Sequence, residues 1–386
     1  MERTGITVLT PISTAKHATL TSFASRIVAW QRAHGRHDLP WQGRDAYRIW
    51  LSEVMLQQTQ VTTVLPYFAR FIADFPTVEA LAAAPLSHVL ERWSGLGYYR
   101  RAHHLHAAAR TVVDRHAGGF PTDAATLATL PGIGRSTAAA IAAFAGGERG
   151  AILDGNVKRV LARHRGIGGW AGVSRVDARL WRAAEASLPT QGDVVADCTL
   201  IGDYTQGMMD LGATICVRSH PQCSACPVRG DCVAHRESRV DTLPSPRPRR
   251  ILPQRAVTLL LLERQGRILM EQRPPLGIWG GLWSLPEAPC DADVAALIAA
   301  RFNAVADRPR ALPAIVHGFT HFALTMHPVQ LRITHWPMTA NMEAVDWFTP
   351  AAAIAAAVPS PIRRLLSSVR AGECTHAEDR KPSSVV

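Results

Sequence analysis

Two short segments of this chain carry side chains whose types and spacing suit chemistry on a charged substrate. The first, residues 130–156, places Pro131, Gly132 and Gly134 between two helical patterns and reaches an isolated carboxylate at Asp154. A tight turn of this kind leaves backbone N–H groups unpaired at the start of the next helix, and such a helix start binds phosphate well. We therefore expect the segment to bind the phosphate backbone of a nucleic acid and to place one acidic side chain beside it. The alternative is a turn that only connects two helices.

The second segment, residues 49–61, is an apolar helical pattern that is interrupted by Glu53, Gln57 and Gln60. On a helix, Glu53 and Gln57 share a face. The helix is expected to bury much of its remaining surface through Ile49, Trp50, Val54 and Val61. A carboxylic acid among apolar neighbours is expected to keep its proton at neutral pH, as a general acid must. The alternative is a solvated surface glutamate.

The overall charge favours a polyanionic partner. The 386 residues include 42 Lys and Arg against 31 Asp and Glu, which gives a formal net charge of +11. A basic surface attracts nucleic acid through counterion release. The length allows two or three domains. No apolar run reaches the roughly 18 to 20 residues that a membrane-spanning helix needs, and the start lacks the pattern of a signal peptide. We expect a soluble, cytoplasmic protein without a membrane partner.

Four of the seven cysteines form a compact group with the spacing C-x6-C-x2-C-x5-C. They are Cys216, Cys223, Cys226 and Cys232. In a reducing compartment such a group indicates a metal site rather than disulfides. Zinc sites usually pair two short Cys-x2–4-Cys spacings, and only one occurs here. The spacing therefore favours a [4Fe–4S] cluster, with zinc as the open alternative.

The pattern along the chain changes once. Residues 19–235 are mostly helical, with amphipathic stretches at 101–115 and 137–145. Residues 236–254 are rich in arginine and proline and are predicted to form an extended basic linker. Strand patterns follow at 256–263 and 267–273 around a turn at Gln265 and Gly266, then at 331–336 and 345–349, with a short helix at 361–369.

Several motifs together resemble one family. They are SEVMLQQTQV (52–61), WSGLGYYRRAHHL (93–105), LPGIGRSTAAAI (130–141), ILDGNVKRVLAR (152–163) and MMDLGATIC (208–216), followed by the cysteine group. Their order and combination resemble the adenine DNA glycosylase (MutY) family of the helix-hairpin-helix superfamily. The resemblance is dense over residues 20–235. It continues more loosely to about 367 through LGIWGGLWSLPE (276–287) and HGFTHF (317–322).

The resemblance implies a multidomain fold. A mostly α-helical helix-hairpin-helix glycosylase domain with an iron–sulfur cluster loop precedes a C-terminal α/β Nudix-like (MutT-like) domain. The implied boundaries are an N-terminal extension at 1–18, the glycosylase domain at 19–235 with the cluster loop at 216–232, the linker at 236–254, the Nudix-like domain at 255–370 and a disordered tail at 371–386.

The resemblance also implies a reaction. A monomer binds double-stranded DNA that contains adenine opposite 8-oxoguanine or guanine, flips the adenine out of the stack, and hydrolyses its N-glycosidic bond. Glu53 matches the family acid that protonates N7 of the adenine. Asp154 matches the carboxylate that stabilises positive charge on the sugar, electrostatically or through a transient adduct. Read from local sequence alone, Asp154 is equally an N-cap of the next helix.

Further positions match DNA-contacting residues of the family. Those in the helical part are Gln57, Gln58, Thr59, Leu96, Tyr98, Gly132, Gly134, Ser136, Asn156 and Lys158. Tyr98 matches an aromatic wedge that enters the base stack. In the second domain Phe319, Thr320 and His321 match a Phe-Ser-His loop that senses 8-oxoguanine, with threonine in place of serine. No Arg-Glu-x-x-Glu-Glu run follows Gly281, so we expect lesion recognition without pyrophosphatase activity.

Two other functions are compatible with the motifs. One is a glycosylase with strand-cleaving lyase activity that resembles endonuclease III. That reaction needs a lysine for a Schiff base, and the corresponding hairpin position here is Ser136. The other is a non-catalytic DNA-binding or redox-sensing iron–sulfur protein. The presence of both Glu53 and Asp154 argues against it.

Overall fold

The computed structural model describes residues 22–191, 193, 197, 199–248, 251–275, 277–337 and 344–371. The extension predicted at 1–18 and the tail predicted beyond 371 lie outside this range. The chain divides into two compact units. The first unit draws on residues 1–36 and 153–245, and the second on residues 37–152 and 246–386.

Helices dominate the described residues up to 248. In chain order they are α1 (Phe23–His34), α2 (Ala46–Leu56), α3 (Val61–Asp74), α4 (Val78–Ala83), α5 (Leu86–Trp93), α6 (Arg100–His116), α7 (Ala124–Leu127), α8 (Arg135–Gly146), α9 (Gly155–His164), α10 (Ser174–Ala186), α11 (Leu200–Asp210) and α12 (Val233–Arg236). The helices of the C-terminal part are α13 (Val294–Phe302), α14 (Pro350–Ala355) and α15 (Ser360–Arg370). No described helix is both long and apolar enough to cross a membrane.

Helix α2 is the centre of the helical core in the second unit. Asp45 caps its start by accepting hydrogen bonds from the N–H groups of Tyr47 and Arg48. Seven of its eleven residues are buried, so the helix is covered on most sides. Trp50, at the middle of α2, has no exposed surface. The sequence pattern at 49–54 therefore predicted the buried face correctly.

The end of α2 differs from the prediction. The helix stops at Leu56, and Gln57 is the C-cap residue with ψ 111°, so Gln57 does not extend the helical face of Glu53. The guanidinium of Arg101 explains the stop. It donates hydrogen bonds to the carbonyls of Val54, Met55 and Gln57, and thereby replaces the N–H groups of a further turn.

The C-terminal part of the second unit is a mixed sheet covered by helices on both faces. Its strands, in chain order, are β1 (Gln254–Arg264), β2 (Arg267–Gln272), β3 (Trp283–Ser284), β4 (Glu287–Ala288), β5 (Val305–Ala306), β6 (Arg310–Ala311), β7 (Ile315–Gly318), β8 (Ala323–His335) and β9 (Val345–Phe348). The central strands β1 and β8 run parallel, and β1 forms an antiparallel hairpin with β2.

The four consecutive leucines of β1 are buried because each face of the sheet has its own core. Leu259 and Leu261 pack with Ile362 and Leu365 of α15. Leu260 and Leu262 pack in a second cluster that contains Ile298 and Phe302 of α13. A strand buried on both faces lacks apolar–polar alternation, which is typical of a sheet between two helical layers.

The expected fold class is confirmed: a helical helix-hairpin-helix part precedes a Nudix-like sheet. The hairpin predicted around Gln265 and Gly266 forms, and both residues have positive φ. The strand predicted at 331–336 is the end of the longer strand β8. Helix α13 and strand β7 were not predicted.

The segment predicted as an extended linker at 236–254 is partly compact. Residues 237–242 form turns, and Leu243 is buried. The reason lies in Arg163, whose Nε donates hydrogen bonds to the carbonyls of Val240 and Leu243. The basic composition predicted that this segment would be surrounded by solvent. Instead, the buried Arg163 of α9 donates hydrogen bonds to its backbone carbonyls.

Candidate active site

Asp154 is the N-cap residue of α9. Its Oδ1 accepts a hydrogen bond of 2.8 Å from the N–H of Val157, and its Oδ2 accepts one of 3.2 Å from Nδ2 of Asn156. The capping role read from the sequence is thus confirmed. Because the helix start holds the carboxylate in place, the side chain has a fixed direction at the first turn of α9.

Two opposing effects act on the Asp154 carboxyl. Burial raises its pKa above the ordinary 3.8, whereas the hydrogen bonds from Val157 and Asn156 and the charge of Arg159 lower it. Burial is the larger effect, so the pKa is raised overall. In its ionised form, this buried carboxylate is therefore stabilised by a positive charge placed next to it.

Arg159 connects this first turn to the first cysteine of the cysteine group. Its Nη2 donates a hydrogen bond of 2.8 Å to Oδ1 of Asn156, and its Nε donates one of 2.7 Å to the carbonyl of Cys216. Gly212, in the π-helix Leu211–Ile215, completes the contact from the other side. A Cβ at Gly212 would lie 2.6 Å from Cβ of Asn156, so only glycine fits there.

The four cysteines line one cavity of ≈ 410 Å³, measured with its open mouth. The other lining residues are largely apolar and include Val160, Leu211, Ile215 and Val228. Arg163, itself buried, donates to Sγ of Cys216 at 3.4 Å and to the carbonyl of Val217 at 2.7 Å. Burial, together with the charges of the other cysteines, raises the pKa of the Cys226 thiol to about 11.

The cavity suits a group larger than one ion. Among the residues that the structure describes, no three His, Cys, Asp or Glu side chains could hold a metal ion. The four sulfurs nevertheless share one cavity.

Glu53 lies on α2 and is half-buried. Its helix neighbours Ser52 and Val54 are buried, as are Trp50 and Met55. The side chain of Glu53 is therefore partly accessible on a helix whose other residues are mostly buried.

Arg101 organises the segment after α2. Its guanidinium is buried and donates to backbone carbonyls and one hydroxyl, and burial lowers its pKa to about 10. Besides the carbonyls at the end of α2, it donates to Oγ1 of Thr59 and to the carbonyl of Gly97, both at 3.2 Å. One side chain of α6 therefore fixes both the 57–59 segment and the turn that precedes Tyr98.

Half of the surface of Tyr98 is exposed, and its backbone φ is +49°. The turn around it is held at several points: Trp93 Nε1 donates to the carbonyl of Gly97 at 3.0 Å, and Tyr67 donates to the carbonyl of Ser94 at 3.2 Å. Leu96, beside Tyr98, is buried. The turn thus presents one aromatic ring to solvent from a rigid base.

The predicted hairpin forms between α7 and α8. Gly132 has a φ of +79°, and a Cβ there would lie 2.7 Å from Cβ of His104. Gly134 is the N-cap of α8 and offers no side-chain cap, and the space around it is open. Ser136 lies in the first turn of α8 and is half-buried. The helix start is therefore accessible to a ligand, as expected for an anion site.

The remaining predicted contact residues fall into two groups. Gln58 is exposed with a φ of +58°, while Lys158 forms a salt bridge of 2.6 Å with Asp177. In the Nudix-like sheet the N–H of Phe319 donates to the carbonyl of Phe322 at 2.8 Å, which forms a tight loop between β7 and β8. This loop exposes Thr320 and His321.

Three arginines escaped the sequence analysis: Arg101, Arg159 and Arg163. Each has backbone carbonyls as its main acceptors, and these partners lie far away in sequence. A sequence signal that could have found them is an arginine among buried positions of a helix. Arg163, for example, stands between Ala162 and His164, which are both buried. Such a residue requires acceptors inside the fold.

Comparisons with known proteins agree with this arrangement. Residues 51–186 match the HhH-GPD superfamily base excision DNA repair protein family, and residues 257–368 match the NUDIX domain. The chain is similar to a structure of a thermostable thymine-DNA glycosylase, with 28% identity and a TM-score of 0.49 over 56% of this chain and 95% of that chain.

Two curated relatives extend the similarity over most of the sequence. The adenine DNA glycosylase of Buchnera aphidicola subsp. Acyrthosiphon pisum is 34% identical over 81% of this chain and 87% of its own length. The adenine DNA glycosylase of Homo sapiens is 32% identical over 95% of this chain and 78% of its own length. The chain therefore belongs to the adenine DNA glycosylases, enzymes of base-excision repair in the HhH-GPD superfamily.

Proposed function

We propose that this glycosylase removes adenine paired with 8-oxoguanine or guanine by hydrolysis of the N-glycosidic bond, with Glu53 and Asp154 as its two carboxyl groups. The observation that carries the proposal is the fixed Asp154 carboxylate at the start of α9, with a hydrogen bond to each oxygen. A carboxylate with a fixed direction can stabilise the positive charge that develops on the deoxyribose as the bond breaks.

Glu53 is proposed as the acid. It protonates N7 of the flipped adenine, which turns the base into a better leaving group. Its half-buried position on α2, a helix buried over most of its residues, supports this role because part of the carboxyl-bearing side chain stays accessible to a base. After departure of the base, water attacks the sugar, and the deprotonated Glu53 accepts its proton.

Ser136 supports base removal without planned strand cleavage. A lyase step needs an amine nucleophile at the sugar, and the hairpin carries a hydroxyl at this position. The hairpin itself, with Gly132 and Gly134, is proposed to bind a DNA phosphate at the accessible start of α8. Asn156 and Lys158 lie on the first turn of α9, next to the proposed sugar site.

Recognition of the mispair is proposed to come from two surfaces. From the helical part, Gln57 lies near the adenine pocket, whereas Gln58 and Thr59 face 8-oxoguanine. Tyr98 wedges into the stack with Leu96 beside it. The Phe319–Thr320–His321 loop senses 8-oxoguanine from the Nudix-like domain. That domain is proposed to lack pyrophosphatase activity, and Glu287, which follows Gly281, is already paired with Arg273.

The cysteine group is proposed to hold a [4Fe–4S] cluster through Cys216, Cys223, Cys226 and Cys232. When bound, the cluster supplies a cross-link between α11 and the 223–232 loop and takes no part in bond cleavage. Arg163 and Arg159, which contact Cys216, then have fixed acceptors. The protein is proposed to act as a monomer on duplex DNA.

A duplex with adenine opposite 8-oxoguanine tests the reaction. The protein is incubated with this duplex, and abasic sites are revealed by alkali. Wild type is expected to give strand breaks only after alkali, and Asp154→Asn to give few. Equal cleavage by wild type and Asp154→Asn would contradict the proposal, and a high yield of borohydride-trapped adduct would support a lyase instead. Broad absorption near about 400 nm distinguishes the cluster from zinc.

A further inference from the structure

The turn at residues 94–99 has an unusual backbone for a segment that must carry an exposed ring. Gly95 has a φ of +102°, Gly97 of +77° and Tyr98 of +49°. Three of six residues thus lie in the left-handed region, which is unfavourable for Tyr98. Such a turn keeps one conformation only where its surroundings hold it.

Part of this support comes from the Nudix-like domain. Nη2 of Arg363 on α15 donates a hydrogen bond of 2.7 Å to Oγ of Ser94. The same nitrogen donates at 3.0 Å to the carbonyl of Ala356. Ser94 Oγ in turn donates to the carbonyl of Val358 at 3.1 Å. A hydroxyl that accepts one bond and donates another has a fixed orientation.

Tyr99 carries the contact into the turn backbone. Its hydroxyl donates to the carbonyl of Val358 at 3.3 Å and accepts from the N–H of Gly95 at 3.2 Å. Tyr99 is buried, so these bonds form away from competing water. A continuous set of hydrogen bonds therefore runs from α15 to the backbone on which Tyr98 stands.

The two domains also share apolar packing at this place. Leu282 and Ala357 of the Nudix-like domain belong to the same buried cluster as Trp93 and Leu96. The contact is thus anchored by a core and not by polar groups alone. The Nε atom of Arg363 is buried and has no hydrogen-bond partner. The orientation of this side chain therefore depends on the two hydrogen bonds from Nη2.

We propose that Arg363 is a positioning residue for Tyr98, through which the Nudix-like domain sets the orientation of the proposed wedge. The proposal rests on the proposed role of Tyr98 in the base stack. Arg363 donates to the Ser94 hydroxyl, and Ser94 and Tyr99 both donate to the Val358 carbonyl. Tyr99 in turn accepts from the N–H of Gly95, so the turn presents the Tyr98 ring at a fixed height. Positional errors of about 0.5 Å in such a constellation lower its efficiency.

An exposed arginine of the same helix offers a matched control. Arg370 is the last residue of α15, so Arg370→Ala removes the same charge without touching the turn. Ser94→Ala removes only one hydroxyl and serves as a second variant should Arg363→Ala fail to fold. Arg363→Lys keeps the charge, but its shorter side chain ends before the position of Nη2.

The experiment measures base extrusion and chemistry separately in the full-length protein. A duplex with 2-aminopurine opposite 8-oxoguanine reports extrusion by fluorescence, and a duplex with adenine gives the single-turnover rate. Arg363→Ala and Ser94→Ala are expected to lower both readouts about three- to tenfold, Arg363→Lys to lie between, and Arg370→Ala to stay within about twofold of wild type. Arg363→Ala equal to Arg370→Ala would overturn the proposal.

A double variant separates the positioning role from the proposed function of Tyr98. If Arg363 acts through Tyr98, Tyr98→Ala with Arg363→Ala is no slower than Tyr98→Ala alone. Additive losses would show that Arg363 acts elsewhere and would overturn the inference. If Tyr98→Ala extrudes and cleaves like wild type, the wedge role itself fails, and the inference falls with it.

Discussion

Arg159 donates a hydrogen bond of 2.8 Å to the side-chain oxygen of Asn156, and Asn156 donates one of 3.2 Å to the carboxylate of Asp154. The same guanidinium holds the carbonyl of Cys216 at 2.7 Å. The carboxylate proposed to face the sugar is therefore two side chains away from the cysteine group. Burial lowers the pKa of Arg159 because the charged guanidinium is less stable inside the fold than in water.

Replacement of Arg159 should slow the reaction without removing a reacting group. Arg159→Ala is expected to lower the single-turnover rate about 10- to 100-fold, because Asn156 loses the bond that orients it. Arg159→Lys should recover little, since one ammonium cannot serve two acceptors in one plane. The exposed Arg179 provides the control, and Arg179→Ala should react like wild type. Wild-type rates for Arg159→Ala would show that Asn156 needs no such support.

Asp154→Asn should separate catalysis from stability. Asparagine caps a helix about as well as aspartate, so α9 keeps its N-cap. The rate is expected to fall about 10²- to 10³-fold, because a neutral amide stabilises positive charge poorly. The melting temperature should stay equal or rise, since burial raises the pKa of Asp154 and the ionised form therefore opposes folding. A clear loss of melting temperature would contradict this sign.

The stability difference between Asp154→Asn and wild type should depend on pH. The folded pKa of Asp154 lies above the unfolded value of 3.8, so the unfavourable contribution is complete at pH values above the folded pKa. It should shrink as the pH falls through the folded pKa and vanish below about 3.8. Melting curves of both proteins between neutral and acidic pH measure this. A gap that widens in acid would be inconsistent with a raised pKa.

Arg101→Met should destabilise the protein and change its relative rates on the two mispairs. The variant leaves the carbonyls of Val54, Met55 and Gln57 without their donor, at a cost on the order of 3 kcal/mol. The ratio of the rates on adenine opposite 8-oxoguanine and adenine opposite guanine should also change, because the 57–59 segment and the turn before Tyr98 lose their common support. Thermal melting and paired single-turnover rates measure both effects. Arg100→Ala, at the exposed neighbour, should change neither.

The two hairpin glycines should give opposite phenotypes. Gly132→Ala forces a positive φ on alanine and a contact of 2.7 Å with Cβ of His104, so it should lower stability by about 1–2 kcal/mol or more. Gly134→Ala has open space and an ordinary φ of −91°, so the fold should tolerate it. Its methyl group instead obstructs the proposed phosphate site. Duplex affinity, measured by fluorescence anisotropy, should fall about tenfold, equivalent to about 1.4 kcal/mol. Unchanged affinity for Gly134→Ala would place the phosphate elsewhere.

The sequence was sufficient wherever chemistry and local geometry reside in one short motif. Asp154 as an N-cap, the positive φ of Gly132, and the hairpin at Gln265 and Gly266 all follow from neighbours within a few residues. The apolar pattern around Glu53 likewise predicted the burial of α2. In these cases the local preference and the folded structure agree.

Interactions between distant segments could not be predicted in the same way. Arg101 ends α2 through carbonyls 44 to 47 positions earlier in the chain, and Arg163 reaches Leu243 across 80 positions. Backbone carbonyls carry no sequence signature, so nothing in the motif names them as acceptors. The extended linker was wrongly predicted at residues 237–242 for the same reason.

The shared cluster of Trp93, Leu96, Leu282 and Ala357 has a consequence for biosynthesis. The helical residues of this cluster leave the ribosome long before Leu282 and Ala357 are made. Until then their apolar surface has no permanent cover, and an exposed surface of this kind invites aggregation or chaperone binding. A nascent chain arrested before residue 282 should therefore be more protease-sensitive around residue 93 than the released full-length chain.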